Sequence, residues 1–464
     1  MIGRKTEQAL LKKALESSES EFVMIYGRRR VGKTYLVREF FHNDFVFSCT
    51  GIAKGTRQEQ LINFYSELSR KVPHKTLPLP ANWMEAFELL RTVVEEADDN
   101  RKIIFLDEVP WMYTQKSDYL KALEHFWNGW ASSQRNIILI ICGSAASWMV
   151  KKMIRDKDGF HNRITIPIKL TPFTLAETRD YLVSKKISWD LKTISECYMI
   201  LGGIPYYLNL LERGMSLSQN IDRLFFAETA LLGSEFENLY ASLFKDSRDY
   251  IKIVEILSKK KMGFTRDEVV KKGKFKDGGN ISEKLEDLEE CGFIRKYPAK
   301  GQIANLYQLS DFYTLFYFTF IKKGAFRDED FWMHMQGSHA YETWGGLSFE
   351  RLCFSHLQQI KQALGVSGIS TKAYAYYGKG YQIDMILERA DRNVNVFEIK
   401  YCDGPFSISA AYAERLNERK RFVSSTFKNK ISCSTIMITV DGVKANEYAA
   451  AALQRELLLK DLFL

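Results

Sequence analysis

Short apolar runs alternate with longer amphipathic stretches through the first 170 residues. The runs are "FVMIY" (22–26), "FVFSC" (45–49), "KIIFLD" (102–107), "NIILIIC" (136–142) and "ITIPIKL" (164–170). Each has strand length and is apolar at successive positions, which predicts strands buried on both faces. Their alternation with helix-length segments predicts an α/β domain over residues 1–170, with a five-stranded parallel sheet between helices.

From 171 to 245 the strand-like runs stop. The pattern becomes helical with a break at "LGGIPYYL" (201–208), which predicts a small helical lid. A further pattern begins at Asp246 with "DYIKIVEILSKK", then "TRDEVVKKG" and "NISEKLEDLEECG". Thr265 and Glu268 have capping-box spacing, and Asn280 with Glu283 offers a similar helix start. The strand pair expected in "FIRKYPAKGQIANLYQLS" completes three short helices and a hairpin, a winged helix-turn-helix over 246–310. The last segment, 311–464, opens on the aromatic run "FYTLFYFTF" and returns to mixed helix and strand from about Tyr341.

Length agrees with this division, since 464 residues correspond to about three or four units of ordinary size. A composition of 46% hydrophobic and 27% charged residues excludes wholesale disorder. The net charge of +9 arises from 66 basic and 57 acidic residues, a slight excess that adds little to the case for a polyanionic partner. The seven cysteines are scattered without CxxC spacing, so neither a disulfide framework nor a zinc site is expected and a reducing compartment fits. No uninterrupted apolar run approaches the ~18 residues of a membrane span, and the N-terminal residues lack the apolar core of a signal peptide. A cytoplasmic location without an integral membrane segment is expected.

The chemistry begins with "GRRRVGKT". Gly27, Gly32, Lys33 and Thr34 satisfy GxxxxGK[ST] directly after one expected strand and before the helix "TYLVREFF". Glycines let backbone N–H groups curl around phosphate oxygens, lysine reaches the outer phosphates, and the threonine hydroxyl is a ligand for Mg2+. The expected nucleotide site therefore runs through Gly27, Arg28, Arg29, Arg30, Val31, Gly32, Lys33, Thr34 and Tyr35. Three adjacent arginines repel one another and require acidic groups or an anion nearby. In "IIFLDEVPW" the apolar run places Asp107 at the end of a buried strand, where it can hold Mg2+, and Glu108 beside it can activate water. Capping of the next element is the competing role for this pair. Ser144 in "CGSAASWM" stands where a polar residue can read the γ-phosphate, or is a turn serine. Arg163 in "NRITIPIKLTPF" is a candidate for nucleotide contact from the same or a neighbouring subunit, or a surface arginine.

Together, "GRRRVGKT", "LDEVPWM", "CGSAASWM", "NRITIPIKLTPF" and "LGGIPYYL" resemble the archaeal-type ATPases within the AAA+ and STAND superfamilies. "IGRKTEQALL" resembles the element that leads such chains across the adenine site. The resemblance covers roughly residues 1–300. It implies ATP and Mg2+ as ligands, the strand order 5-1-4-3-2, a lid that places Pro205 near the nucleotide, and a following winged helix. The helix expected to enter a DNA groove carries Glu283, Glu286, Asp287, Glu289 and Glu290 against Lys284, so phosphates would repel it. Lys271, Lys272, Lys274 and Lys276 leave backbone contact open.

In the last segment "YQIDMILERADRNVNVFEIKY" predicts a β-hairpin. Asp384 lies on its first strand, and Glu398 and Lys400 share one face of the second. Such a set can bind a divalent metal through Asp384 and Glu398, with Lys400 orienting water or stabilising developing charge. Glu350, on the apolar helix of "LSFERLC", can join them. An exposed Glu/Lys strand pair is the plainer alternative. The order helix, strand, strand, helix resembles the PD-(D/E)XK restriction-endonuclease-like nucleases, and the region 311–464 is similar to the domain of unknown function that commonly ends this ATPase family. The leading expectation is an ATP-binding switch or motor of STAND type whose nucleotide state controls a Mg2+-dependent nuclease-like domain acting on DNA or RNA, a design suited to defence or mobile-element biology. The alternative is a non-cleaving ATP-dependent regulator or scaffold that binds nucleic acid or protein. A third is an ATPase that assembles as a homo-oligomer, with the aromatic run Phe312 to Phe320 as an interface.

Overall fold

The computed structural model describes residues 1–114, 117–155, 160, 162–244, 246–298, 305–322, 328–378, 380–427 and 431–464. The chain divides into two compact units, Met1–Thr171 and Pro172–Leu464.

In the first unit the five apolar runs become β1 (Glu21–Tyr26), β2 (Phe47–Thr50), β3 (Lys102–Asp107), β4 (Ile137–Gly143) and β5 (Ile166–Lys169). The sheet order is β2-β3-β4-β1-β5, all strands parallel, as the resemblance implied. β4 is buried at every position, which is why it reads as an uninterrupted apolar run. One sheet face is sealed by an aromatic cluster in which Trp83 meets Phe64 and Tyr119 edge to face, with centroids 5.4 and 4.7 Å apart. Register aligns the strand ends: Tyr26 stands beside Gly143, and Thr50 beside Asp107. The residues that follow β1, β2, β3 and β4 therefore emerge along one edge, where an open α/β sheet presents its ligand site.

The second unit starts with helices over Leu175–Ser184, Leu191–Leu201, Pro205–Asn209, Leu217–Phe225 and Glu235–Leu243. Three more follow, Ser247–Ser258, Arg266–Gly273 and Gly279–Glu290, with a small antiparallel sheet ordered β6 (Phe264–Thr265), β8 (Asn305–Leu309), β7 (Ile294–Pro298). The turn between β7 and β8 lies outside the described residues. Thr265 and Glu268 form the expected capping box. Asn280 does not cap: the third helix starts one residue earlier, behind Gly278, and no side chain caps it. Arg266 binds Asp277 and the Gly278 carbonyl, both 2.7–2.8 Å away, and so fixes the entry of the chain ahead of Asn280. Lys284 and Asp287 face inward, to Asp249 at 2.5 Å and the Tyr250 hydroxyl at 2.7 Å.

The aromatic run is core. Phe316 and Phe320 pack against Trp332 and Trp344 with centroids 5.0–5.9 Å apart. The C-terminal sheet has the order β13 (Arg455–Leu458), β12 (Ser432–Thr439), β11 (Asn393–Ile399), β10 (Tyr381–Arg389), β9 (Thr371–Gly378). β9, β10 and β11 form an antiparallel meander, and β12 joins β11 in parallel after the helix Ala410–Ser425. The helix His339–Ser355 precedes β9. Among the described residues no helix is long and apolar enough to cross a membrane.

His356, 1% exposed, ties this unit together. Its Nε2 accepts the Leu175 backbone N–H at 2.9 Å, which leaves Nδ1 to donate to the Leu352 carbonyl at 3.0 Å. Burial holds its pKa down at about 4. Because the folded value lies below the unfolded one near 6.5, the unfolded chain binds more protons between them, so stability is complete above about 6.5 and is lost as pH falls toward 4. Lowering pH from 7 to 4 is expected to cost this unit up to about 3 kcal/mol through His356 alone. Urea titrations across this range check it, with His356→Gln expected to flatten the dependence.

Candidate functional site

The loop between β1 and the helix Lys33–Phe40 has the backbone that its glycines permit. Gly27 has φ 154°, and a Cβ there would meet the Leu170 carbonyl oxygen at 2.2 Å. Gly32, at φ 91°, turns the chain into the helix, and Arg30 between them is also left-handed at φ 73°. Lys33 is 5% exposed, and its ammonium donates to the Gly27 and Arg28 carbonyls, each at 3.0 Å. Arg28 is buried, Val31 is 1% exposed and part of the core, Arg29 and Arg30 are half-buried, and Tyr35 is exposed. Val31 therefore anchors the loop, and Tyr35 projects from the helix that follows.

Asp107 closes the other side. The Thr34 hydroxyl donates to its Oδ2 at 2.8 Å, and the Glu108 N–H donates to Oδ1 at 3.0 Å. Burial holds Asp107 above the usual carboxylate range, opposed by the Thr34 hydrogen bond. Glu108 itself adopts a left-handed backbone, φ 50° and ψ 49°, an uncommon conformation for a non-glycine residue. Its Oε2 accepts both the Ser144 hydroxyl at 2.8 Å and the Ser144 N–H at 3.1 Å. Ser144, expected to read a phosphate, is thus engaged with Glu108. Arg163 is exposed, and its N–H donates to the Phe160 carbonyl at 3.0 Å. Pro205 opens the helix Pro205–Asn209 in the second unit, at the N-terminal position that needs no N–H.

Sequence reading left Arg4 without a role. It is 5% exposed, and its guanidinium donates to the Val31 carbonyl of the phosphate loop at 3.1 Å and to the Thr171 carbonyl at 2.7 Å. Its place in "IGRKTEQALL" was the available signal; only the tertiary fold shows that it clamps the loop.

The C-terminal carboxylates divide into two groups. β10 breaks register between Ile383 and Ile386, and this irregularity sets the aim of Asp384. Asp384 Oδ2 accepts the Ile399 N–H at 3.1 Å. Its Oδ1 lies 3.6 Å from the Lys261 ammonium, which also sits 2.5 Å from Glu350 Oε1. Glu398 is 3% exposed and is held by Lys400 at 2.9 Å, by Arg419 and by the Tyr412 hydroxyl. The expectation grouped Glu350, Asp384 and Glu398 around one cation. Instead Glu350 and Asp384 share Lys261, and Glu398 is paired with Lys400 and Arg419, because an unpaired charge there is too costly. Among the described residues no group of three histidine, cysteine, aspartate or glutamate side chains is placed to hold a metal. Burial and then Asp384 push Glu350 up to about 7, against the pull of Lys261. Burial and then Glu398 raise Asp384, whereas Lys400 and Arg419 outweigh burial at Glu398 and hold it low. Lys261, supplied from outside the hairpin, was not singled out by the sequence.

Residues 1–211 match the family model of an ATPase domain predominantly from Archaea. An uncharacterized protein of Methanocaldococcus jannaschii is 24% identical over 410 residues, covering 87% of this chain and 88% of that one. An uncharacterized ATP-binding protein of the same organism is 38% identical over 42 residues, 9% of this chain and 71% of its own length. Among solved structures, the Walker-type ATPase of Pyrococcus abyssi superposes with a TM-score of 0.50 at 19% identity, covering 68% of this chain and 96% of that chain. The ORC2 protein of Aeropyrum pernix gives a TM-score of 0.45 at 14% identity, covering 70% and 94%. Residues 1–211 are thus similar to an archaeal-type ATPase domain, and the five-stranded parallel sheet is of the fold seen in the Walker-type ATPase.

Replacing Arg4 with Ala is expected to destabilise the first unit by about 1.5–3 kcal/mol, the scale of a hydrogen bond made by a charged group. Nucleotide affinity should fall with it. Denaturant midpoints and a fluorescent-nucleotide titration measure both effects, and a wild-type result in both would remove the clamp role.

Proposed function

We propose that this chain, with its archaeal-type P-loop ATPase domain, binds and hydrolyses ATP at the Gly27–Thr34 loop and uses nucleotide state to control a nuclease-like C-terminal domain. The observation that carries the ATPase reading is the convergence of Lys33, Thr34 and Asp107. The Thr34 hydroxyl and Asp107 carboxylate stand 2.8 Å apart beside a buried lysine ammonium. These two oxygens suit the hard-cation chemistry of Mg2+. Mg2+ held by Thr34 and Asp107 would neutralise charge on the β- and γ-phosphates.

The chain supplies the rest. Backbone N–H groups of the loop and the N-terminus of the helix Lys33–Phe40 bind the phosphates, and Lys33 exchanges its two carbonyl partners for phosphate oxygens. Glu108 accepts a proton from the attacking water. Ser144, by its two donations, holds Glu108 in position and ties up the lone pairs that would take that proton. Turnover therefore requires Glu108 to leave Ser144 or to use its second oxygen. Arg163 is a further candidate for nucleotide contact in this reading.

For residues 246–310 the proposed fold is a winged helix. The inward roles of Lys284 and Asp287 favour a packing or relay function over base reading. For residues 311–464 the element order helix, three antiparallel strands, helix, parallel strand supports a nuclease-like fold, with Asp384, Glu398 and Lys400 as its chemical set. Within that set Lys400 stands 2.9 Å from Glu398. The second reading, a non-cleaving regulator, is favoured by the same pairing of each carboxylate with a cation.

Lys33→Ala is expected to weaken ATP binding at least about tenfold, within the 1.5–3 kcal/mol of charge-assisted hydrogen bonding. Glu108→Gln should retain binding and lose turnover by about 10²–10⁴-fold. Isothermal titration and phosphate release separate these effects, and a Glu108→Gln protein with unchanged turnover would remove the proposed base. For the second domain, Mg2+-dependent cleavage of single- and double-stranded DNA and RNA is compared with ATP, ADP or neither. Cleavage that survives Lys400→Ala excludes the nuclease assignment, and cleavage indifferent to nucleotide and to Lys33→Ala excludes the switch.

A further inference from the structure

Lys261 belongs to the turn between the helix Ser247–Ser258 and β6, yet its ammonium lies between two carboxylates from other elements. Glu350 on the helix His339–Ser355 is 2.5 Å away, and Asp384 on β10 is 3.6 Å away. All three side chains line one cavity, with Tyr377, Arg295 and Arg351. The two arginines are committed elsewhere: Arg295 donates to Gln308 Oε1 at 2.5 Å and stacks 3.6 Å over Phe354, and Arg351 donates to the Leu309 and Leu347 carbonyls, each at 3.3 Å. Lys261 is therefore the cation in direct contact with both Glu350 and Asp384, while Arg351 acts on Glu350 and Lys400 on Asp384 from further away. Burial lowers its proton affinity, but the two carboxylates outweigh that and keep it charged.

The lysine does not act as a loose surface side chain. Gln308 on β8 donates to the Lys261 carbonyl, and the Tyr297 hydroxyl on β7 donates to the Met262 carbonyl. The turn is thus attached to the small antiparallel sheet, and its ammonium moves with that sheet. Moving the sheet away would remove the ammonium nearest to two neighbouring, largely buried carboxylates and leave them only the more distant Arg351 and Lys400, which is unfavourable unless another cation enters. Two carboxylates in a cavity beside a tyrosine hydroxyl offer only oxygen donors, the set that Mg2+ or Mn2+ takes and softer metals do not prefer.

We propose that Lys261 is a tethered cation occupying a divalent-cation position between Glu350 and Asp384, so that the 246–310 segment and the metal ion compete for one site. This deepens the nuclease-like reading and rests on it for what the ion would be used for. Occupation by Lys261 is the closed state; displacement of the turn opens the site. Because the two occupants exclude each other, any partner or nucleotide state that shifts the segment changes cation affinity, and cation binding in turn shifts the segment by the same factor.

The test measures Mn2+ binding to the full-length, nucleotide-free protein by titration calorimetry and Mn2+ electron paramagnetic resonance. The proteins are wild type, Lys261→Met, Lys261→Gln and Lys261→Met combined with Asp384→Asn. Removal of Lys261 should tighten Mn2+ binding at least about tenfold, within the usual range of coupling between competing states. Adding Asp384→Asn should abolish the gain. Melting curves with and without Mn2+ show which Lys261 variants fold, and a variant folded only with Mn2+ supports the proposal, since the ion then replaces the missing ammonium. In the wild-type chain, saturating Mn2+ should speed amide exchange at residues 259–263, a readout independent of any variant. Unchanged Mn2+ affinity in a folded Lys261 variant, or unchanged exchange at 259–263, overturns the proposal. Gained, Asp384-dependent Mn2+ binding without cleavage of any nucleic acid keeps the tethered cation and removes the nuclease reading. Cleavage by wild type that Asp384→Asn abolishes, with no gain in Lys261→Met, does the reverse.

Discussion

A carboxylate inside a protein needs a partner, and the carboxylate-bearing regions of this chain are arranged around that requirement. Asp107 stays at the end of a buried strand because Thr34 and the Glu108 N–H donate to it. Glu108 is held by Ser144, Asp384 and Glu350 by Lys261, and Glu398 by Lys400 and Arg419.

In the first unit the parallel sheet makes this economical. Register brings the ends of β1, β3 and β4 to one edge, so the phosphate loop, the Asp107–Glu108 pair and Ser144 emerge side by side from distant parts of the sequence. Arg4 then fastens the loop from the N-terminal side through Val31. In the second unit the antiparallel meander brings Asp384 toward Glu398, and the register break in β10 aims Asp384 at the helix that carries Glu350. The ammonium that completes that pair comes from a turn 89 residues before Glu350.

Much of the first unit was legible because its signals are local. A strand buried on both faces reads as an apolar run, and a phosphate loop needs glycines and a lysine at fixed offsets. The Thr265 capping box was legible for the same reason. The similar spacing at Asn280 misled, since Arg266, at the start of the preceding helix, sets where the helix of Asn280 begins. β9, β12 and β13 were not picked out individually: they share a half-buried, mixed pattern that turns apolar only where neighbouring strands and helices cover them. The aromatic run admitted core or interface by composition alone, and packing against Trp332 and Trp344 decided for core.

The amino-acid sequence by itself determined the chemistry available at each end of the chain: a phosphate loop with its acidic pair, and a hairpin carrying Asp384, Glu398 and Lys400. These follow from residue types a few positions apart, where backbone geometry dictates what shares a face or a turn. Tertiary structure alone decided which charges answer which. Pairing between Ser144 and Glu108, Arg4 and Val31, or Lys261 and the Glu350–Asp384 pair depends on long-range packing and on the cost of leaving a buried charge alone. No local pattern encodes either quantity.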